Sequence, residues 1–396
     1  MKKTVSLLAV ILLVLSAVWV TAVVGNRKTA ELEAKYASEA EADRAELESL
    51  RSELEAATED RHSDREILTE LFRKVDYKDE PVYVIGHKSP DFDTTASAVG
   101  MAYLLNALDI EAEARLAGTV NLETEYGLSV IGYPAPELLE DAADKQLWLV
   151  DHSDSGQMVN GADRARIVGI TDHHGIGDAE TSEPVNVLSC PTGSTSALTF
   201  WLCTKCGVEV PQDVAGVLLA GMLSDTSNMK GKDVTALDRF AFPRLREISG
   251  ISDTDALFNG MLEAKLSYRG MDEREIFYSD YKEYETNGVR YGIGVVKVAH
   301  PEQVSAMAER MLPVVESEAE NGSDMDLLLV EVYDSDYSLG YMGFCGSDRE
   351  FAEKVMDAAF GGTEEKRDGF YVSSPSLSRK TDVIPPLDNA LNALTP

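Results

Sequence analysis

The sequence predicts an α/β protein with two folded domains, and two observations carry this prediction. Short apolar runs at residues 81–85, 147–150 and 166–170 alternate with helical stretches, which is typical of a parallel sheet with crossover helices. The chain has 396 residues, more than a single domain usually contains. We therefore expect a domain with a parallel sheet, followed by a smaller α/β domain towards the carboxyl terminus.

The composition is that of a globular and strongly acidic protein. It contains 36 Lys and Arg against 69 Asp and Glu, which gives a formal net charge of −33 at pH 7. We expect no nucleic acid partner, because neutralising duplex phosphates needs a basic surface. The four cysteines are too few for a disulfide scaffold in a chain of this length.

The amino-terminal region contains an uncharged apolar segment at residues 5–24. A helix of this length covers about 30 Å, the thickness of the hydrocarbon core of a bilayer. A cleaved signal peptide is the alternative, but its apolar region would be shorter and would end at a small-x-small site. We expect a transmembrane anchor at residues 1–26, a single-pass membrane localisation and the lipid bilayer as a partner. The sequence leaves the side of the membrane open.

A polar stretch rich in Ala and Glu follows at residues 27–79. Apolar residues recur in it at alternating spacings of three and four, at Leu47, Leu50, Leu54 and Ala57. This spacing indicates a helix with one apolar stripe. The stretch is either a coiled-coil stalk or a solvated spacer helix, and we expect no chemistry from it.

Acidic and imidazole side chains follow each of the three apolar runs. They are His87, Asp91 and Asp93 after the first run, Asp151 after the second, and His173 and His174 after the third. Because ligands of parallel sheets gather beyond the carboxyl ends of the strands, we expect these side chains to lie together. Asp225 joins them as a candidate, since a charged residue directly after the apolar helical stretch 214–223 is costly to bury unless it is paired or coordinated.

This combination of side chains predicts a metal site. Carboxylates and imidazoles without thiolates favour Mn²⁺, Co²⁺ or Mg²⁺ over structural zinc. Six such ligands are enough for two ions that share a bridging carboxylate. Two ions roughly 3.5–4 Å apart are a recurrent device for activating water and holding a phosphoryl group.

These motifs resemble those of the DHH phosphoesterase superfamily, and in particular the family II (manganese-dependent) inorganic pyrophosphatases. The resemblance rests on residues 86–93, Asp151-His152 and Asp172-His173-His174, with further likeness at residues 121–126, 192–196 and 224–225. Residues 280–284 and Ser378-Arg379-Lys380 look like the signatures of the second domain of these pyrophosphatases. The resemblance implies a catalytic DHH domain at residues 80–268 and a DHHA2-like substrate-binding domain at residues 269–396.

The resemblance also implies an activity, the hydrolysis of inorganic pyrophosphate to two phosphates. A hydroxide that bridges two Mn²⁺ (or Co²⁺) ions would attack in line, and a further Mg²⁺ would arrive with the substrate. The implied metal ligands are His87, Asp91, Asp93, Asp151, His173 and Asp225, with Asp151 as the bridge. The implied substrate-binding residues are His174, Lys282, Arg379 and Lys380, and Asp151, His174, Lys282 and Arg379 are the implied catalytic residues. A chain of net charge −33 needs such a basic cluster to bind an anion.

Alternatives stay open at this point. A DHH-type phosphodiesterase or short-chain polyphosphatase is disfavoured, because the sequence lacks the glycine-rich, His-containing motif that such relatives carry. The alternative of another class is an inactive interaction scaffold whose stalk recruits partners. The oligomeric state is also open, with a homodimer as one option. Gly175 and Thr381 stand where pyrophosphatases often carry basic residues.

Overall fold

The computed structural model describes residues 38, 41–42, 44–53, 64–321 and 323–395. The chain divides into two compact units, Met1–Leu71 and Phe72–Pro396. In the first unit, residues 44–53 and 64–71 are helical, as the apolar stripe predicts. Leu47 and Leu50 of that stripe are exposed. Both interpretations of this stretch, a coiled-coil stalk and a solvated spacer helix, stay predictions.

The predicted membrane localisation is wrong. Among the residues that the structure describes, no helix is both long and apolar enough to cross a membrane. The apolar helix Gln212–Asp225 has 14 residues and therefore measures about 21 Å, less than the hydrocarbon core. The helix Val304–Asn321 has 18 residues but carries several charged side chains. The predicted anchor at residues 1–26 lies outside the described residues, and we retain neither the localisation nor the lipid partner.

The first sheet of the second unit is parallel throughout, as predicted. Its strands are β1 (Val82–Ile85), β2 (Ala112–Leu116), β3 (Glu137–Leu138), β4 (Gln146–Val150), β5 (Arg166–Asp172) and β6 (Asn186–Ser189). They lie in the order β3-β2-β1-β4-β5-β6. The chain runs outwards from β1 to β3 and then returns to β4 beside β1. The order therefore reverses between β1 and β4, and ligands of such sheets bind at this switch point.

Six helices of the described chain alternate with these strands or follow them along the chain. They are α1 (Phe92–Ala107), α2 (Leu122–Ile131), α3 (Thr195–Cys206), α4 (Gln212–Asp225), α5 (Ala236–Ser249) and α6 (Thr254–Lys265). Three of them, α1, α3 and α4, pack tightly, because a Cβ on Gly100 would lie 2.7 Å from Leu218 and 2.9 Å from Thr199. This packing fixes the first turns of α1 and α3 relative to the last turn of α4.

The second sheet is mixed and belongs to the smaller carboxyl-terminal part. Its strands are β7 (Tyr281–Thr286), β8 (Val289–Val298), β9 (Leu327–Asp334), β10 (Gly340–Gly346), β11 (Glu365–Arg367) and β12 (Phe370–Ser373), in the order β11-β12-β10-β9-β8-β7. The helices are α7 (Glu273–Tyr278), α8 (Val304–Asn321), α9 (Arg349–Phe360) and α10 (Ile384–Leu394). One face of the sheet packs on α7 and α8, and the other packs on α9 and α10.

The close contact between β4 and β5 gives a test of this fold. A Cβ on Gly169 would lie 2.3–2.4 Å from three ring atoms of Trp148. The indole cannot easily move aside, because it stacks on Phe72 at 5.5 Å and donates a hydrogen bond to Thr171 Oγ1 at 3.0 Å. We expect Gly169→Ala to lower the free energy of unfolding by about 1–3 kcal/mol in urea denaturation, as overpacked cores do.

The matched control is Gly175→Ala, since a Cβ there would meet no atom within 4 Å. Its free energy of unfolding should change by less than about 0.5 kcal/mol, as is usual for surface substitutions. Equal stability of the two variants would contradict the packing of β4 on β5.

Candidate metal centre

The carboxyl ends of three adjacent strands form the centre of the site. His87 lies two residues after β1, Asp151 follows β4 directly, and His173 follows β5 directly. The backbone of Asp151 is in the left-handed region, with φ at 63°. Non-glycine residues seldom adopt this conformation, and they concentrate at functional sites. The strand ends thus bring together the side chains that the sequence suggested.

The Asp151 carboxylate lies in the middle of the centre and is 1% exposed. Thr94 Oγ1 donates a hydrogen bond to Oδ2 at 2.6 Å, and Thr195 Oγ1 donates one to Oδ1 at 2.9 Å. His87 Nε2 lies 3.6 Å from Oδ2, and His173 Nε2 lies 3.4 Å from Oδ1. Burial raises the pKa of Asp151, but the close contacts with the His173 and His87 rings outweigh it and lower the pKa below its ordinary value. Asp151 is therefore a carboxylate near neutral pH.

His87 and Asp91 form one side of the centre. Asp91 is the N-cap of α1, and its Oδ1 accepts a hydrogen bond from the Thr94 backbone N–H at 2.9 Å. Its other oxygen lies 3.5 Å from His87 Nε2. The cap therefore uses one oxygen of Asp91 and leaves the second facing the imidazole.

Asp93, His173 and Asp225 form the other side. The fully buried Asp93 accepts hydrogen bonds from the backbone N–H groups of Thr195, at 2.6 Å, and Ser196, at 2.9 Å, in the first turn of α3. His173 Nδ1 lies 2.9 Å from the Thr192 carbonyl oxygen. Because a carbonyl can only accept, Nδ1 donates its proton there, and Nε2 is the ring nitrogen that faces the centre.

The His173 Nε2 atom has no hydrogen-bond partner among the described residues, although it is buried. It lies 3.4 Å from Asp151 Oδ1 and 3.4 Å from Asp225 Oδ2. Asp225 is the last residue of α4. A buried imidazole nitrogen that faces two carboxylate oxygens at 3.4 Å fits a site for a cation.

The pKa values of Asp93, Asp225 and His173 also indicate a site for a cation. Burial and the charge of Asp151 raise the pKa of Asp93 to about 7, and burial and the charge of Asp93 raise that of Asp225 to about 9. Burial lowers the pKa of His173, but the close contact with Asp151 and the charge of Asp93 outweigh it and raise the value to about 10. Without a cation the site holds protons to relieve repulsion between carboxylates. A divalent ion would replace these protons.

Three groups of side chains in the described part of the chain have ligand atoms within 4.8 Å of one another. They are His87, Asp91 and Asp151; Asp93, His173 and Asp225; and Asp151, His173 and His174. Asp151 belongs to two of these groups, and so does His173. The structure thus brings together all six side chains that the sequence suggested as ligands. Their chemistry, carboxylate and imidazole without thiolate, suits Mn²⁺.

His174 differs from the other imidazoles because its side chain is 54% exposed. Its Nδ1 lies 3.1 Å from Asp172 Oδ1, and its backbone N–H donates to the same oxygen at 2.9 Å. This contact with Asp172 raises the pKa of His174. The ring is therefore held by Nδ1, which leaves Nε2 free to meet a ligand from outside.

Several residues that organise the site were not among the candidates predicted from the sequence. The hydroxyls of Thr94 and Thr195 and the carboxylate of Asp172 are among them. Glu123 of α2 is another, since its buried carboxylate accepts from Ser224 Oγ at 2.7 Å and pairs with Lys265 Nζ at 2.7 Å. Ser224 directly precedes Asp225 in the chain. The only sequence signal for these residues is that most of them lie within or beside the segments that resemble the family.

The three basic residues expected to bind substrate lie in the carboxyl-terminal part. Lys282 is exposed on β7, and Lys380 is exposed in the turn that precedes α10. Arg379 Nη2 pairs with Asp280 Oδ1 at 2.7 Å, and its Nη1 donates to the Asp280 carbonyl at 2.8 Å. Arg379 and Lys282 thus lie beside the same edge strand. Among the described residues, no hydrogen bond or ion pair joins these side chains to the candidate ligands.

Comparisons with known proteins agree with this architecture. The family model for the DHH family, N-terminal domain, matches residues 81–222, and the model for the DHHA2 domain matches residues 259–390. A protein from Archaeoglobus fulgidus named "Probable manganese-dependent inorganic pyrophosphatase" is 34% identical over 328 residues, which cover 79% of this chain and 99% of that protein. The "Manganese-dependent inorganic pyrophosphatase" of Methanothrix thermoacetophila is 33% identical over 78% of this chain and 98% of its own length.

A solved structure shows the same relationship. The crystal structure described as a family II inorganic pyrophosphatase from Methanococcus jannaschii matches with a TM-score of 0.50 and 31% identity. The match covers 78% of this chain and 99% of that one. Because both domains match and the relatives are covered over nearly their whole length, the chain belongs to the family II, manganese-dependent inorganic pyrophosphatases of the DHH superfamily.

Proposed function

We propose that the protein hydrolyses inorganic pyrophosphate to two phosphates in a manganese-dependent reaction. The observation that carries this proposal is the convergence of six carboxylate and imidazole side chains, the buried Asp151 among them, in a chain of this family. We keep residues 80–268 as the catalytic domain and residues 269–396 as the substrate-binding domain. A homodimer stays a prediction.

Two Mn²⁺ ions would be held by the two halves of the centre. His87 and Asp91 would hold one ion, Asp93, His173 and Asp225 would hold the other, and Asp151 would bind both. Co²⁺ has similar ligand preferences, and a further Mg²⁺ would enter with the substrate. When bound, such ions lower the pKa of a water molecule and neutralise phosphoryl charge.

The contacts of Asp151 explain how one carboxylate can serve both halves. Thr94 and Thr195 each hold one of its oxygens, so that Oδ2 faces His87 and Oδ1 faces His173. Neither oxygen can rotate away without breaking a hydrogen bond. The two hydroxyls therefore fix the orientation of the carboxylate before any ligand arrives, which would reduce the cost of organising the site during reaction.

His174 is the residue placed to move a proton. Its contact with Asp172 raises its pKa, which favours the protonated ring near neutral pH. The exposed Nε2–H can then donate to an oxygen of the leaving phosphate, while Asp172 stabilises the imidazolium and keeps the ring oriented.

Lys282, Arg379 and Lys380 are the residues that we assign to phosphate binding. Pyrophosphate is repelled at long range by a chain of net charge −33, so local positive charge must compensate. The Arg379 guanidinium can donate two parallel hydrogen bonds to a phosphate, but two of its nitrogens, Nη1 and Nη2, already donate to Asp280. Substrate binding would therefore compete with Asp280 for Arg379.

The direct test is phosphate release by the full chain with Mn²⁺. Pyrophosphate, triphosphate and a cyclic dinucleotide are compared at equal concentrations. We expect turnover of pyrophosphate to exceed that of the other two. Preference for the cyclic dinucleotide would indicate a phosphodiesterase, preference for triphosphate a polyphosphatase, and no turnover of any substrate a scaffold.

Asp151→Asn should abolish most of this activity. The amide cannot supply two anionic oxygens, so we expect kcat to fall by at least about 100-fold, the upper end of the range seen when metal-site contacts are removed. Circular dichroism should show a retained fold. The matched control is Asp144→Asn, because Asp144 also has a positive φ, at 62°, but belongs to none of the metal groups. Equal activity of the two variants would contradict the assignment of Asp151.

Binding of Mn²⁺ should tighten as the pH rises. The metal-free site holds protons, because the pKa values of Asp225 and His173 are raised to about 9 and 10, and the ion must displace these protons. At a pH below the pKa of the displaced group, each proton released on binding lowers the apparent Kd about tenfold per pH unit. Calorimetric titration between pH 6 and 8, in two buffers of different ionisation enthalpy, should show a falling Kd and net proton release. A Kd that does not change with pH would contradict the proposed ligands.

Substitution of the exposed lysines should weaken substrate binding. For Lys282→Gln and Lys380→Gln we expect KM for pyrophosphate to rise about tenfold each, because a hydrogen bond to a charged group contributes about 1.5 kcal/mol or more. The control is Lys354→Gln, which removes an exposed lysine that pairs with Glu350 on α9. An unchanged KM in all three variants would show that Lys282 and Lys380 do not bind the substrate.

A further inference from the structure

The segment 192–196 (TGSTS) is the common support of three candidate ligands. It contacts them through both backbone and side-chain atoms. The Thr192 carbonyl accepts from His173, the backbone N–H groups of Thr195 and Ser196 donate to Asp93, and the Thr195 hydroxyl donates to Asp151. A displacement of this segment would therefore move ligands in both halves of the centre.

Asp238, in the first turn of α5, holds this segment in place. It is completely buried, and its Oδ2 atom accepts four hydrogen bonds. Two of them come from the segment, from the Gly193 N–H at 2.9 Å and from Thr192 Oγ1 at 3.1 Å. The other two come from Thr235, from its N–H at 2.7 Å and from its hydroxyl at 2.8 Å.

A helix cap alone does not explain this arrangement. Thr235 and Asp238 form a capping box, which satisfies the N-terminus of α5 without any contact to another segment. The two donors from Thr192 and Gly193 are additional, and they come from residues 45 or more positions earlier in the chain.

The packing around Gly193 makes this attachment tight. A Cβ at this position would lie 2.8 Å from Thr226 Cγ2 and 3.0 Å from Asp238 Cγ. Thr226 directly follows Asp225. Segment 192–196 thus lies between the start of α5 and the end of α4, and the close contacts leave its backbone little room to shift.

We infer that Asp238 is a positioning residue for the metal centre, which acts through segment 192–196 on His173, Asp93 and Asp151 without touching any of them. This inference rests on the proposed metal site. It predicts that loss of the Asp238 carboxylate weakens metal binding, in addition to any loss of stability.

The test measures Mn²⁺ binding to the metal-free full chain by calorimetry, without substrate. For Asp238→Ala we expect Kd to rise about 10–100-fold, as when other groups that orient metal ligands are removed. For Thr192→Val, which loses one donor but keeps the carbonyl that His173 uses, we expect a rise of at least threefold. Asp238→Asn keeps an acceptor oxygen and should restore Kd to near the wild-type value.

The matched control is Glu275→Ala, because Glu275 occupies the same position in the capping box of α7. It should lower the melting temperature of the metal-free chain but leave Kd within twofold of the wild type. A purely structural role of Asp238 would give the same pattern for Asp238→Ala, namely lower stability with unchanged Kd, and would overturn the inference.

Thr192→Val decides the question if Asp238→Ala does not fold. A Kd within twofold of the wild type in this variant would overturn the inference as well. Failure of the wild-type chain to bind Mn²⁺ would instead overturn the proposed metal site, so the two failures are distinguishable.

Discussion

The structure depends on the concentration of negative charge around one buried carboxylate. Asp151 lies between two imidazoles, while Asp93 and Asp225 are close enough to have their pKa values raised. Such a cluster is costly to bury, and only protons or cations can relieve it. The hydroxyls of Thr94 and Thr195 hold Asp151 in place, and the N-terminus of α3 receives Asp93. The strand ends, helix caps and helix packing all serve to hold these charges together.

The convergence of the candidate ligands could be predicted from the sequence, because most of them follow the ends of parallel strands. In a parallel sheet the carboxyl ends of neighbouring strands share one edge, so polar residues after the predicted runs 81–85, 147–150 and 166–170 were expected to lie together. The supporting residues follow no such rule. Thr195 lies at the centre because α3 packs on β5, and Asp238 lies near it because α5 packs on α3 and α4. Asp172, as the last residue of β5, could have been recognised by its position in the Asp-His-His motif.

The membrane localisation, in contrast, was predicted incorrectly. That prediction was based on one apolar segment, residues 5–24, which lies outside the described residues. No helix in the described ranges meets the requirements for crossing a membrane. The carboxyl-terminal part was predicted through family signatures, and its geometry adds a feature that those signatures do not contain. Arg379 is paired with Asp280, so the positive charge that we propose for substrate binding is partly neutralised in this structure.

The central claim is that Asp151 is shared by two ions, and the number of ions bound per chain tests it most directly. Equilibrium dialysis of the metal-free chain against Mn²⁺, combined with electron paramagnetic resonance, gives both the stoichiometry and the distance-dependent coupling between ions. The account predicts two Mn²⁺ per chain with a spin-coupled signal, as expected for ions about 3.5–4 Å apart. A single uncoupled ion, or none, would contradict it.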